Sequence, residues 1–394
     1  MKTVRRMLVG LLIAIPVGAL IFFFAVARIV GARMNRIDDA KAIAVSARAD
    51  SLHRTLRVVD LHNDLLMWDR DPAARGFTGH TDVPRLVEGN VAVEVFSTVT
   101  KTPKGQNYER NGAESDNITL LAIASRWPPR TWDSRLQRAL YEAGKLRHAA
   151  AVSEGRLAVV TTAAELASAL DYRASTPGIK LVTGILNTEG LQALDGEMAN
   201  LDTLFAHGFR MAGLAHFFDN EVAGSAHGVV KGGLSPLGRR VVQRMQQLGM
   251  IVDLAHVSPR AFDDVLEMAS RPVVVSHTGV QVTCAGPRNL TDDQLRRLAA
   301  NGALIGIGFW DGAVCDLAPR AIARAIRHAA NVAGLSHIAL GSDWDGSTTV
   351  AFGADQVAQV TEALLQEGFS PPEIRAVMGE NAIRFLMENL PPRT

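Results

Sequence analysis

A dominant sign of charge is the first thing this sequence lacks. Across 394 residues, 41 Lys+Arg stand against 40 Asp+Glu, a net charge of +1. A balanced chain has no general basic field for a phosphate backbone, so no nucleic-acid partner is expected. Cysteine is scarce as well, with two in the chain. Two thiols build neither a disulfide miniprotein nor a four-cysteine zinc module, so a bound metal must be held by imidazoles and carboxylates. The HExxH helix motif, the GxxxxGK[ST] phosphate loop and the GxSxG elbow are all absent. Low complexity is absent too: 47% hydrophobic and 21% charged residues supply a large core.

Charge vanishes altogether from Met7 to Ala27 (MLVGLLIAIPVGALIFFFAVA). At 1.5 Å per residue such a helix spans about 30 Å, one bilayer core. Lys2, Arg5 and Arg6 precede the run, and Arg28, Arg33 and Arg36 follow it, so flanking charge does not orient it. Residues 1–33 are read as an anchor that enters the membrane through residues 7–27, with Pro16 tolerated as a kink. Ala25-Val26-Ala27 also fits the A-x-A pattern of a cleaved signal peptide, which would leave a secreted protein. The run exceeds a usual signal core, and the anchor is the preferred reading. Residues 34–56 read as a charged, helical connector.

Eight short β-branched or apolar runs follow: Val58 to Leu61, Val91 to Thr98, Leu181 to Leu186, Phe209 to Leu214, Met250 to Leu254, Pro272 to Ser276, Ala303 to Gly308 and His337 to Leu340. Amphipathic stretches separate most of them, among them Pro236 to Leu248, Pro259 to Ala269, Thr291 to Ala300, Pro319 to Ala333 and Ala354 to Glu367. Several start at proline or a Ser/Thr cap and stop at glycine, as Leu248-Gly249 does. Apolar strands alternating with helices predict a parallel sheet covered by helices. Eight such units predict a (β/α)8 TIM-type barrel over residues 57–390. Without a glycine-rich loop after the first strand, a doubly wound nucleotide-binding sheet is disfavoured. Residues 100–155, turn-rich and charged with one helix from Ser134 to Ala150, read as an insertion over the barrel mouth.

In such a barrel the side chains at the C-terminal strand ends converge. Those ends carry His62 and Asp64, Glu189, His216, His256, His277 and Asp343. A lone histidine is usually a core residue with a satisfied hydrogen bond; seven metal-competent side chains from six strand ends are a different matter. A zinc-type ion takes about four N/O ligands and leaves a position for water. His62 and Asp64 can serve one ion, His256 and His277 a second, and Glu189 can bridge them. Two ions about 3.5–4 Å apart share a hydroxide and polarise a carbonyl, a hydrolytic arrangement. His216 reads either as a further ligand or as a group stabilising charge on the substrate. Asp343, in GSDWDG, reads as a ligand, an acid/base group or a salt-bridge partner, and Asp345 as a loop cap. His53, His80, His148, His207, His227, His328 and His337 lie in helical or loop contexts and read as structural. Cys284 and Cys315 are either a nucleophile and a bystander, with no base evident, or partners in a disulfide. The bond is the better reading and fits an oxidising compartment.

The stretches VVDLHNDLL (58–66), Glu189-Gly190, GLAHFFDN (213–220), GMIVDLAHVS (249–258), PVVVSHTG (272–279), PRNL (287–290), GSDWDG (341–346) and MGENAIRFL (378–386) resemble the membrane dipeptidase (renal dipeptidase) family, over roughly residues 57–387. The resemblance implies a (β/α)8 amidohydrolase-type barrel, a homodimer, and hydrolysis of dipeptides with two zinc ions. It implies His62 and Asp64 as ligands of the first zinc, Glu189 as the bridge, and His256 and His277 as ligands of the second. His216 corresponds to a substrate-contacting histidine, Arg288 to the arginine receiving the substrate's C-terminal carboxylate, and Asp343 to the aspartate that handles the proton. Cys284 and Cys315 resemble a disulfide pair of the animal enzymes.

Two departures stand out. Leu191-Gln192 follow Glu189-Gly190 where the family often has a second glycine. A tyrosine that helps hold the substrate carboxylate has no counterpart in FWDGAVC (309–315). Dipeptide hydrolysis on the extracytoplasmic side of a membrane is thus the leading expectation. A related dimetal amidohydrolase acting on a β-lactam or an N-acyl compound is the alternative, and a non-catalytic envelope scaffold is disfavoured by the intact donor set.

Overall fold

The computed structural model describes Val4, Arg6, residues 15–176 and residues 178–392. Valine- and isoleucine-rich runs become eight strands: β1 (Val58–Asn63), β2 (Val91–Val99), β3 (Val182–Glu189), β4 (Phe209–Gly213), β5 (Ile251–Asp253), β6 (Val274–Thr278), β7 (Leu304–Ile307) and β8 (Ile338–Leu340). Each pairs in parallel with the next. Leu340 on β8 meets Asp60 on β1, which closes the ring. All eight expected strands are present, and the fold is a (β/α)8 barrel. A short extra strand, Leu157–Val159, pairs with the start of β3.

Helices cover the barrel where the sequence marks their ends. Pro236–Leu248 and Pro259–Met268 each begin with proline behind a serine cap, Ser235 and Ser258. Proline suits a helix's first turn because its missing N–H has no partner there anyway. Thr291 and Gln294 form a reciprocal capping box for Asp292–Asn301, and Gly302 ends that helix at φ 81°. Pro319–Ala333 has the expected bounds. Ala354 to Glu367 is divided: a 3₁₀ turn at Ala354–Gln356 precedes the α-helix Ala358–Gln366. Every strand also lends an apolar side chain to a buried cluster shared with Leu166 and with Ile383, Phe385 and Leu386 of the last helix. At about 25 cal/mol per Å² this burial is the main force holding strand ends in register.

Between β2 and Leu157–Val159 run a loop and the helices Asn117–Ala124, Arg130–Asp133 and Arg135–Val152. The connector is less helical than its composition suggests. Arg36–Ile37 pairs with Thr349–Val350, and the α-helix is confined to Ala47–His53 behind a Ser46 cap. Ahead of it, Ile15–Met34 forms a helix of mean hydropathy 2.1, long and apolar enough to cross a membrane. Residues 7–14 of the apolar run lie outside the described residues.

Candidate active site

The barrel brings the metal-competent residues singled out in the sequence to the same rim. His62 lies near the end of β1, Glu189 ends β3 and His277 lies in β6. Asp64, His216, His256 and Asp343 sit on the turns just beyond β1, β4, β5 and β8. Glu189 is the hub. Its Oε1 lies 3.5 Å from His62 Nε2, 3.1 Å from His256 Nε2 and 3.3 Å from His277 Nε2, and its Oε2 lies 3.2 Å from His216 Nε2. Asp64 Oδ1 is 3.4 Å from His62 Nε2. Three triads each bring their ligand atoms within 4.8 Å of one another: His62/Glu189/His277, Glu189/His216/His256 and His62/Asp64/Asp343. All seven residues singled out in the sequence therefore meet. His216 approaches Glu189 more closely than His62 and His277 do, and only 0.1 Å less closely than His256.

Groups beneath the rim aim these donors. Ser276 Oγ donates to Asp253 Oδ2 and lies 2.8 Å from His277 Nδ1. A hydroxyl with its one proton committed must accept from that Nδ1–H, which leaves His277 Nε2 bare and turned to Glu189. Asp60 receives the backbone N–H and hydroxyl of Ser342, while Asp343 N donates to the His62 carbonyl at 3.2 Å. Two non-glycine site residues take left-handed backbone, His256 at φ 64° and Asp343 at φ 60°. Such conformations are costly and persist where surrounding structure over-determines them.

The electrostatics are those of a site short of positive charge. Burial, then Asp64, pushes the Glu189 carboxyl well above its usual range. Burial pushes Asp343 up to about 8. Burial opposes charge on His62, but Glu189 and Asp64 together outweigh it and raise its pKa to about 10. His256 and His277 are held well below the ordinary value by burial first, and His216 is lowered to about 3. The neutral imidazoles of His216, His256 and His277, beside crowded carboxylates, are a donor set that divalent cations complete. Among the described residues, His62 Nε2 and Asp64 Oδ1 are buried without hydrogen-bond partners, as expected of ligand atoms. The residues present fit a metal centre.

On the opposite wall Arg288 donates from Nη2 to the His277 carbonyl at 2.7 Å, and its guanidinium lies 5.3 Å from the Trp310 ring centre. Its Nε is buried and has no hydrogen-bond partner among the described residues. Asn289 ties this segment to the loop beyond β7, donating to the carbonyls of Cys284, Gly312 and Ala313. Cys284 and Cys315 form a disulfide across the same two loops. The enclosed cavity, about 60 Å³, is lined by Asp64, Glu189, His216, Arg288 and Asp343 together with Tyr108 and Trp310. A larger cavity of about 940 Å³ lies between helix Ile15–Met34 and the loop after β1, and it contains none of the clustered donors.

Position defines the class as much as composition does: His and carboxylate donors at the C-terminal rim of a parallel barrel belong to a metal-dependent hydrolase. Comparison with known proteins sharpens this. Residues 46–390 match the model of the membrane dipeptidases, peptidase family M19. The chain belongs to the membrane dipeptidase family, whose members are metallo-hydrolases. It is 28% identical to dipeptidase tcpJ of Claviceps purpurea over 342 residues, 84% of this chain and 75% of that one. It is 27% identical to an uncharacterized dipeptidase of Schizosaccharomyces pombe over 356 residues, 83% of this chain and 79% of the other. Among solved structures it resembles a metallo peptidase from Rhodobacter sphaeroides liganded with a phosphinate mimic of the dipeptide L-Ala-D-Ala. That match has 25% identity and a TM-score of 0.68, covering 85% of this chain and 99% of that one. The probable dipeptidase PvdM of Pseudomonas aeruginosa shares the barrel, at 16% identity and a TM-score of 0.72, over 87% and 98% of the two chains.

Two residues near the site carry no motif. His227, read from the sequence as structural, has its ring 5.3 Å from that of His256. Tyr108, on the loop after β2, reaches the cavity wall. The missing phenol in residues 309–315 was the available signal: where a tyrosine was sought, Trp310 stands, and Tyr108 comes to it from another loop. Of the other histidines, His53 bonds Thr361 and the Gly89 carbonyl, and His80, His207, His328 and His337 likewise bond within the fold.

Proposed function

We propose that this protein hydrolyses the peptide bond of dipeptides at a centre of two divalent ions, zinc in the first place. His62 and Asp64 would hold one ion, His256 and His277 the other, and Glu189 both. Bound there, the ions would supply the Lewis acidity that makes water a nucleophile near neutral pH and polarises the scissile carbonyl. His216 stabilises the negative charge that develops on the carbonyl oxygen. Asp343 receives the proton released in the attack and returns it to the leaving amine. Arg288 pairs with the free carboxylate of the substrate, which favours short peptides. The convergence of seven donors, with Glu189 as their hub, is the observation that carries this reading.

Helix Ile15–Met34 anchors the chain, with the catalytic domain on the extracytoplasmic side and two chains forming a homodimer. The disulfide supports an oxidising compartment. The test is metal analysis of the purified full-length chain combined with a panel of dipeptides. Two equivalents of metal and dipeptide cleavage abolished by chelation are expected. A chain that keeps two metals and cleaves no dipeptide overturns the assignment to peptides.

A further inference from the structure

The large cavity beside helix Ile15–Met34 contains none of the catalytic donors, yet at about 940 Å³ it has the size of a ligand pocket, about 300–1,000 Å³. Its level along the helix is informative. The uncharged run ends at Ala27, and Ala27, Arg28, Gly31 and Ala32 form the helix's side of the cavity. At 1.5 Å per residue, Ala32 stands about 8 Å beyond that end. A headgroup layer is about 5–8 Å deep on each side of the hydrocarbon core. With residues 7–27 across a bilayer, the cavity therefore faces lipid headgroups rather than open water. Next to it on the membrane side, Leu20, Ile21 and Phe24 are more than half exposed.

Cationic and apolar surface meet in the walls. Four arginines and a lysine border the cavity against two acids, Asp69 and Asp71. Most of these cations are committed: Arg70 to Asp345, Arg75 to Glu88 and Asp355, Arg28 to Asp69, and Lys145 to the carbonyls of Leu66 and Trp68. Arg130, on the same wall, has no ion pair or side-chain hydrogen bond among the described residues. Ser125, only 6% exposed, presents a hydroxyl that is also without a partner among them. Trp127 and Tyr141, with ring centres 4.9 Å apart, and the fully exposed Phe77 add aromatic surface. Aromatic rings and arginines at one level suit a membrane interface. We propose that this cavity holds one acidic phospholipid of the leaflet beside the catalytic domain, with its phosphate against Arg130 and its acyl chains on the exposed apolar side of the helix before Ala27. The inference goes beyond dipeptide hydrolysis and rests on residues 7–27 being an anchor.

The helix is seated on the domain, so the two walls keep their separation. A Cβ on Gly31 would come within 3.0 Å of the Trp68 ring, and Trp68 Nε1 donates to the Asp345 carbonyl at 2.6 Å. The Arg126 guanidinium lies 4.6 Å from the Phe24 ring centre and shares Asp69 with Arg28. Just past the helix, Asn35 Oδ1 accepts the Ser347 N–H at 2.9 Å. On the wall formed by Arg135–Val152, a Cβ on Gly144 would meet nothing within 4 Å, so this position opens onto the empty space. Charge decides the occupant. A headgroup phosphate without an ammonium of its own pairs with Arg130, whereas a zwitterionic headgroup would bring one more cation among the arginines.

The test uses the full-length chain in a neutral detergent, offered phosphatidylglycerol and phosphatidylcholine with the same acyl chains. Bound lipid is counted by native mass spectrometry, which also gives the intact mass of the chain. One phosphatidylglycerol per chain should be retained in preference to phosphatidylcholine. Arg130→Gln should weaken phosphatidylglycerol about fivefold, the effect of one arginine at an anionic surface, and leave phosphatidylcholine unchanged. Gly144→Phe fills the cavity and should abolish retention, with the unfolding midpoint of both variants as in the wild type. Arg240→Gln, exposed on Pro236–Leu248, is the control and should change nothing. Equal retention of the two lipids, full retention in Gly144→Phe, or the same loss in Arg240→Gln as in Arg130→Gln overturns the inference. Displacement of the lipid by an equal concentration of glycerol 3-phosphate overturns it as well, since the site is then one for soluble phosphate esters. An intact mass that begins after Ala27 counts against the anchor and takes the inference with it. A full-length chain without lipid preference overturns the inference alone.

Discussion

Asp343 and Asp345 stand on one loop, two residues apart, both in left-handed backbone at φ 60° and 62°. The sides they face differ completely. Asp345 accepts from His80 N at 2.9 Å and Thr81 N at 3.1 Å and pairs with Arg70 at 2.6 Å. Burial alone would raise its pKa, but Arg70 and His80 outweigh that and hold it below the usual range. Asp343 has no hydrogen bond to its carboxylate among the described residues. It faces His62, Asp64 and Glu189, and burial carries its pKa up to about 8. A Cβ on Gly346 would meet its Oδ1 at 1.9 Å, so a glycine reserves its place. Where a buried acid is fully satisfied, the loop is being held; where it is left open, the chain is prepared for something it does not itself contain.

The sharpest way to break this contrast is to neutralise each acid in turn. Asp343→Asn should lower kcat by about 10²- to 10⁴-fold, the range of acid–base catalysis, with little change in the urea midpoint. A variant that unfolds early yet turns over normally would reverse the assignment. Asp345→Asn should do the opposite. It leaves the Arg70 charge without its buried partner and should cost about 3–5 kcal/mol of stability, with kcat of the folded protein within about threefold. Chemical unfolding and steady-state kinetics on the same preparations separate the two.

The opposite wall of the site offers a smaller effect of a third kind. There a covalent bond, rather than an ion pair, holds the loops that carry Arg288 and Trp310. Replacing Cys284 and Cys315 together by serine should cost about 2–4 kcal/mol, read as a lower unfolding midpoint. Asn289 still ties the same loops, so kcat should change less than it does in Asp343→Asn.

The smallest effect is in pH. Asp345 has a folded pKa below its unfolded one, near 3.9. Its contribution is therefore fully present above about pH 4 and is lost as pH falls through the folded value. The stability gap between the wild type and Asp345→Asn should be constant from pH 8 to about 5 and close at lower pH. A gap that widens on acidification contradicts the Arg70 pairing.

Much of this is legible in the sequence. The eight strands were legible because β-branched runs between proline, serine and glycine stops leave few alternatives, and the termini of Pro236–Leu248 are set by Ser235, Pro236 and Gly249. His62, Glu189, His256 and His277 were legible because a parallel barrel sends strand ends to one rim, so order along the chain becomes position in space. Asp345 was legible as a loop cap, but its partners, Arg70 and His80, could not be named, since they sit more than two hundred residues away in the chain. Tyr108 and His227 were not legible as a pair at all. Both lie on loops without periodicity, and they are 119 residues apart.

The sequence by itself determined the architecture and the donor set, because secondary-structure period, capping and barrel geometry depend on local pattern and on strand order. Tertiary structure decided which polar groups are left unsatisfied. That property belongs to no residue alone: it arises when burial removes water and the neighbours either replace its hydrogen bonds, as at Asp345, or do not, as at Asp343 and the Nε of Arg288.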